Sequence, residues 1–172
     1  MATAAEAAGV RILGIDPGHT RSAWVLLEGA TVVAHDRQPN VEVLLLLAGL
    51  NLPASRLQGV DGVVLEQIEG YGMTVGAEVF GTVFWAGRFY QAVRRGIGRA
   101  QLTRRAVKQH ICETTKGNDA TVRDRLIGRY GGKQAALGTK TAPGPLWGIT
   151  ADRWAALAVA VTWMDQAGPR RG

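Results

Sequence analysis

Arg11-Ile12-Leu13-Gly14-Ile15-Asp16-Pro17-Gly18 is the stretch that decides how this chain is read. A short apolar run broken at once by Pro17-Gly18 predicts a buried strand, and the strand ends in an acid. A carboxylate at the tip of an apolar strand is costly unless a cation or solvent meets it. Alone, Asp16 reads equally well as a turn residue, so the neighbouring elements have to decide.

Outward from that strand, residues 22–27 and 31–35 are β-rich runs separated by Glu28-Gly29-Ala30, a hairpin turn. Three antiparallel strands therefore open the domain. Residues 41–50 follow as a helix, and Gly62-Val63-Val64-Leu65-Glu66 as a fourth buried strand that also ends in an acid. A Gly-rich loop over residues 70–76 leads to a long helix, 77–94, with Val79, Val83, Phe84, Ala86 and Val93 at helical spacing. A short strand at 99–102 precedes a helix at 104–111 capped by Thr103, and Asn118 caps a helix at 120–130 that stops at Gly131-Gly132. Residues 131–148, rich in Gly, Lys, Thr and Pro, read as a mobile loop. The last helix is expected from Ala151 to Trp163, capped by Thr150, with Trp154, Leu157, Ala158 and Val161 on one face. Asp152 falls in its first turn, where the helix dipole favours a carboxylate.

With 172 residues and 47% hydrophobic content, one α/β domain over residues 10–168 is expected, after a disordered tail at 1–9. That tail lacks the features of a secretion signal, and no run nears the roughly 18–20 apolar residues of a membrane span, so a cytoplasmic protein without membrane contact is expected. Lone Cys112 has no disulfide or CxxC partner and reads as a small core residue.

The formal charge is +6, and the excess is concentrated. Between Glu78 and Glu113 there is no acid, while Arg88, Arg94, Arg95, Arg99, Arg104, Arg105 and Lys108 fall there. Such a run predicts a polyanionic partner, because each phosphate neutralised by Lys or Arg releases counterions. Arg94, Arg95, Arg99, Arg104 and Arg105 are the candidate phosphate contacts, with Lys140 in the late loop. Tyr71 and Met73, flanked by glycines, suit wedging or stacking against the bases of a nucleic-acid partner, or packing between subunits. His19, His35 and His110 lack metal-ligand spacing and read as surface residues, His19 being near enough to Asp16 for a minor proton-transfer role.

Two-metal phosphodiester hydrolysis needs converging carboxylates, since oxygen ligands suit Mg²⁺. Asp16, Glu66 and Asp152 are the acids whose positions allow convergence. The motifs Gly14-Ile15-Asp16-Pro17-Gly18, Leu65-Glu66-Gln67, Ala106-Val107-Lys108-Gln109 and Ala151-Asp152-Arg153-Trp154-Ala155-Ala156-Leu157-Ala158 resemble, in order and spacing, those of the RuvC family of Holliday-junction resolvases, phage-encoded members above all. The resemblance implies a ribonuclease-H-like mixed sheet flanked by helices, a homodimer, and paired nicks in four-way DNA junctions. It implies Mg²⁺ as cofactor, with Mn²⁺ as a substitute, and Lys108 at the scissile phosphate. One acid of the bacterial pattern is missing: its position is Ala155. Asp119 is the candidate replacement, as a fourth metal ligand or as an ordinary acid at a helix start. Two alternatives share this fold: a ribonuclease acting on RNA–DNA hybrids, and a junction-binding protein with weakened catalysis. An actin-like ATPase needs a second lobe for which 172 residues leave little room.

Overall fold

A computed structural model describes residues 9–53, 55, 57–70, 72 and 74–167. The expected tail, apart from Gly9, and the candidate contacts Tyr71 and Met73 lie outside the described residues. Three strands open the chain: β1 (Arg11–Asp16), β2 (Arg21–Glu28) and β3 (Thr31–Pro39). They are followed by α1 (Asn40–Ala48), β4 (Gly62–Gln67), α2 (Ala77–Ala92), β5 (Gly98–Thr103) and α3 (Arg104–Cys112). The chain continues through α4 (Asp119–Arg129), α5 (Lys133–Leu137) and α6 (Arg153–Ala167).

The five strands form one sheet in the order β3-β2-β1-β4-β5. The β1–β2 and β2–β3 pairs are antiparallel, and the β1–β4 and β4–β5 pairs parallel. Alternation along β1 separates the two faces. Ile12 goes to a core shared with α6, α3 and α4, whereas Leu13 and Ile15 go to a second core with α1 and α2. The central strands are covered on both sides, which explains their near-continuous apolar sequence. Full burial of each Val, Leu or Ile there contributes roughly 1.5–3 kcal/mol.

Gly14 sets the fit of the last helix. A Cβ on it would meet the Ala156 carbonyl oxygen at 2.3 Å and the Ala160 Cβ at 2.6 Å. Only a glycine lets α6 lie this close to β1, and that contact carries the start of α6 to the end of β1. The turn after Asp16 is held just as firmly. Buried Ser22 accepts from the Gly18 N–H (3.0 Å) and donates to Asn40 Oδ1 (2.6 Å), and Asn40 Nδ2 donates to the Gly18 carbonyl (2.8 Å).

The strands and the α3 and α4 caps agree with the sequence reading: Thr103 accepts from the Ala106 N–H and Asn118 from the Thr121 N–H. Two expectations are corrected. Residues 131–148 are not a featureless loop. They contain α5 and a bridge between Gly138 and Pro143, and Ala136 and Leu146 are buried in the core. Thr150 does not cap α6 through its side chain, which instead accepts from the Arg153 guanidinium (3.2 Å). The helix begins one residue after Asp152, whose carbonyl accepts from the N–H groups of Ala155 and Ala156 at 3.1 Å.

Candidate active site

Sheet register brings the first charged residues together. Asp16 pairs with Ala23 and Ala23 with Arg37, while Ile15 pairs with Leu65, which sets Asp16 level with Glu66. One row across the sheet therefore carries Arg37, Ala23, Asp16 and Glu66, on the face covered by α6. The close contact at Gly14 adds Asp152 to this row, and α3, leaving the end of β5, adds Arg104 and Lys108. A cleft of about 550 Å³ results, lined by Asp16, Glu66, Arg104, Lys108, Asp119 and Asp152 among others.

The four carboxylates are not equivalent. Burial pushes the Asp16 carboxyl well above its ordinary range, and the negative charges of Glu66 and Asp152 add to the effect. No hydrogen-bond donor among the described residues reaches its side chain. Glu66, only 5% exposed, is also raised, chiefly by burial, with Arg104 opposing. Arg104 Nη1 donates to Glu66 Oε1 at 3.0 Å, and Nη2 is paired with Asp119. Burial works against the Arg104 charge, but these two carboxylates outweigh it and raise its pKa. Asp152 accepts from Arg37 Nε at 2.8 Å through Oδ2.

Among the described residues, no three His, Cys, Asp or Glu side chains stand close enough to enclose an ion. The ion pairs account for this, because Arg104 engages Glu66 and Asp119 while Arg37 engages Asp152. The donor set nevertheless suits a hard divalent cation. Both Asp16 oxygens, Glu66 Oε2 and Asp152 Oδ1 have no protein donor among the described residues, and burial with the neighbouring acids disfavours the Asp16 charge, a cost that a bound cation would offset.

The residues singled out in the sequence fall into two groups. Asp16, Glu66, Lys108, Asp119, Asp152 and Ala155 all line the cleft. Arg104 also lines it, paired to acids rather than standing on a basic outer face. Exposed Arg105 begins α3 beside it. Arg99 lies at the other end of β5, five residues from Arg104, or roughly 17 Å along a strand, and Arg94 and Arg95 precede that strand. There Arg94 donates to the Leu50 carbonyl, and Arg99 donates to the Tyr90 carbonyl and lies over its ring. Lys140 is exposed next to the Gly138–Pro143 bridge and does not line the cleft.

His19 sits 3.9 Å from Glu78, and His110 with Arg129 binds Asp165, joining α3, α4 and α6. His35 is half-buried, with its pKa lowered by burial and by Arg153. The sequence reading missed Arg37, the Ser22–Asn40 clamp and Arg123, which lies 5.3 Å over the Trp154 ring at the cleft wall. Only pairing register reveals Arg37, since nothing local sets it apart from other surface arginines.

At the level of sequence, neither a protein-family model nor a curated protein matches the chain. Solved structures do match. The chain is similar to Thermus thermophilus RuvC, at 17% identity and a TM-score of 0.58, over 94% of this chain and 99% of that one. It is similar also to T. thermophilus RuvC in complex with Holliday junction substrate, at 16% identity and a TM-score of 0.58, over 94% and 98%. The likeness shows the fold: a ribonuclease-H-like mixed sheet flanked by helices, of the RuvC type.

Proposed function

We propose that this chain is a structure-selective DNA endonuclease that resolves four-way junctions by paired symmetric nicks through metal-dependent phosphodiester hydrolysis. The observation that carries this reading is the convergence of Asp16, Glu66 and Asp152, from three separate elements, with Lys108 in one open cleft. The fold shared with a RuvC that was solved with a Holliday junction supports it.

Asp16, Glu66 and Asp152 would hold a divalent cation, Mg²⁺ or in its place Mn²⁺, through the oxygens that have no protein donor among the described residues. Such an ion activates water and polarises the phosphoryl group. The protein's own part is positional and electrostatic. Gly14 and the Ser22–Asn40 clamp fix where the acids stand. Lys108, reaching the cleft from α3, offsets charge that develops on the scissile phosphate. Arg105 meets the DNA backbone alongside.

Symmetric nicking calls for two related sites, which a C₂ homodimer supplies. The face of α2 suits that role, with Phe80, Val83 and Phe84 at 65%, 50% and 61% exposure. Sedimentation of Phe84→Arg should then show a lighter species than the unaltered chain. The reading as a whole is tested by Asp16→Asn, Glu66→Gln and Asp152→Asn. Each should lose Mg²⁺-dependent junction cleavage while still binding junctions, and wild-type cleavage by any one of them removes that residue from the site.

A further inference from the structure

Arg104 stands out in a cleft that the nuclease reading assigns to metal binding. From the first residue of α3 it reaches across to two other elements, donating 3.0 Å to Glu66 Oε1 on β4 and pairing with Asp119 on α4. Its guanidinium bridges two carboxylates in the way a cation does. We propose that Arg104 is a built-in cation that takes the place of a second divalent ion, so that the site binds a single divalent ion per chain, on the side of Asp16 and Asp152. This inference rests on the nuclease reading and specifies its metal requirement.

Four features of the cleft lead there. Mg²⁺ needs oxygens at roughly 2.0–2.1 Å in near-octahedral array, so no ion fits between Glu66 Oε1 and Asp119 while the guanidinium holds them. Arginine cannot vacate that place by losing its proton, and its planar fork matches two carboxylate oxygens better than a lysine would. Residue 155, which lines the cleft about one helical turn beyond Asp152, is alanine, so α6 supplies no further carboxylate for a second ion. Finally, the oxygens that lack a protein donor among the described residues are ones Arg104 does not hold: both of Asp16, Oδ1 of Asp152 and Oε2 of Glu66, in the same cleft. Drawn together by an ion, they would supply one coordination shell with water and a phosphate oxygen.

The Arg37–Asp152 pair does not compete in the same way. Both of its side chains are half-exposed, at 40% and 47%, whereas the Arg104–Glu66 pair buries its carboxylate, with the Glu66 side chain 7% exposed and dependent on Arg104 for compensation; the Asp119 arm, at 77%, is the solvent-facing side of the bridge. In this arrangement Asp119 orients Arg104 and is not itself a metal ligand. The N–H groups of Arg104 that remain unused are available to a phosphate oxygen.

The test counts ions independently of cleavage. Mn²⁺ is titrated into the full chain, and bound ions are quantified from the loss of the free-ion paramagnetic resonance signal, for wild type, Arg104→Ala, Arg104→Met and Asp16→Asn. We expect one tightly bound ion in wild type, two in either Arg104 variant and none in Asp16→Asn. Melting followed in parallel should show both Arg104 variants less stable than wild type without metal and more strongly stabilised by Mn²⁺, since the ion replaces the lost charge. Two ions in wild type, or only one in both Arg104 variants, overturn the inference while leaving the metal-dependent reading in place. An unchanged count in Asp16→Asn overturns it as well, because the ion is then elsewhere. No ion in any of the proteins overturns the metal-dependent reading itself.

Discussion

Asp16→Asn should make the metal-free protein more stable at neutral pH, although the residue lies at the centre of the proposed chemistry. The Asp16 carboxyl is raised well above its ordinary value of 3.8 by burial first and then by Glu66 and Asp152. A group whose pKa is higher in the folded state favours folding below its unfolded value, and that contribution is lost as pH rises through the folded value. Above it, the ionised carboxylate is buried among like charges with only Arg104 opposing. The isosteric amide removes that charge without opening a cavity. Relief of a strained functional site of this kind is worth about 0.5–2 kcal/mol. For a domain of this size each kcal/mol moves the melting temperature by about 2–4 °C, so an increase of roughly 1–8 °C is expected. Melting followed by circular dichroism in chelator, from acid to mildly alkaline pH, reads it directly. The gap between variant and wild type should open as pH rises from about 4 and close again when Mg²⁺ is added, because the ion stabilises only the wild-type carboxylate. A variant equal to or less stable than wild type at neutral pH, or a gap independent of pH, would refute the claim that Asp16 is a buried charge awaiting a cation.

Four further outcomes follow from the same geometry. Lys108→Met should lower junction cleavage by roughly 10²-fold in single-turnover assays, with the melting temperature nearly unchanged, since Lys108 reaches the cleft but makes no side-chain hydrogen bond among the described residues. Arg105→Ala should reduce the salt slope of junction binding by about one. Arg94→Ala should leave that slope unaltered and instead cost about 0.5–1.5 kcal/mol of stability through the hydrogen bond to the Leu50 carbonyl; a reversed pattern would place the DNA at the other end of β5. Gly14→Ala should destabilise the fold by about 1–3 kcal/mol in denaturant titration, because its Cβ would meet the Ala156 carbonyl oxygen at 2.3 Å.

What the sequence disclosed and what it withheld divide along physical lines. Strand-end acids are legible as a set, because a carboxylate that ends an apolar run must meet a cation or solvent and two such runs end alike. Asp16 and Glu66 were visible for that reason, and the β1–β4 register makes them neighbours. The caps at Thr103 and Asn118 were legible because they act within three residues of themselves. Arg104 was not legible in its role. It sits in a run with Arg99 and Arg105, and only the path of β5 into α3 separates the side chain turned into the acids from those left outside. The run also hid its own division, since Arg99 at the start of β5, with Arg94 and Arg95 in the turn before it, lies at the end of the strand away from the cleft. The order within residues 131–148 was hidden by its composition. Buried Leu146 and Ala136 hold the segment down, and two scattered apolar residues make no periodic signal. Asp119 was visible as a candidate, but its tie to Arg104 depends on how α4 packs against α3.

The central claim is that the cleft cuts branched DNA with the help of a divalent ion. Its most direct test is to incubate the full chain with an end-labelled four-way junction, a linear duplex of the same sequence and an RNA–DNA hybrid, each with Mg²⁺ or with chelator. The account predicts symmetric nicks in the junction alone, only with Mg²⁺, and none with Asp152→Asn. Cleavage of the hybrid in preference to the junction, or junction nicking that persists in chelator, would contradict it.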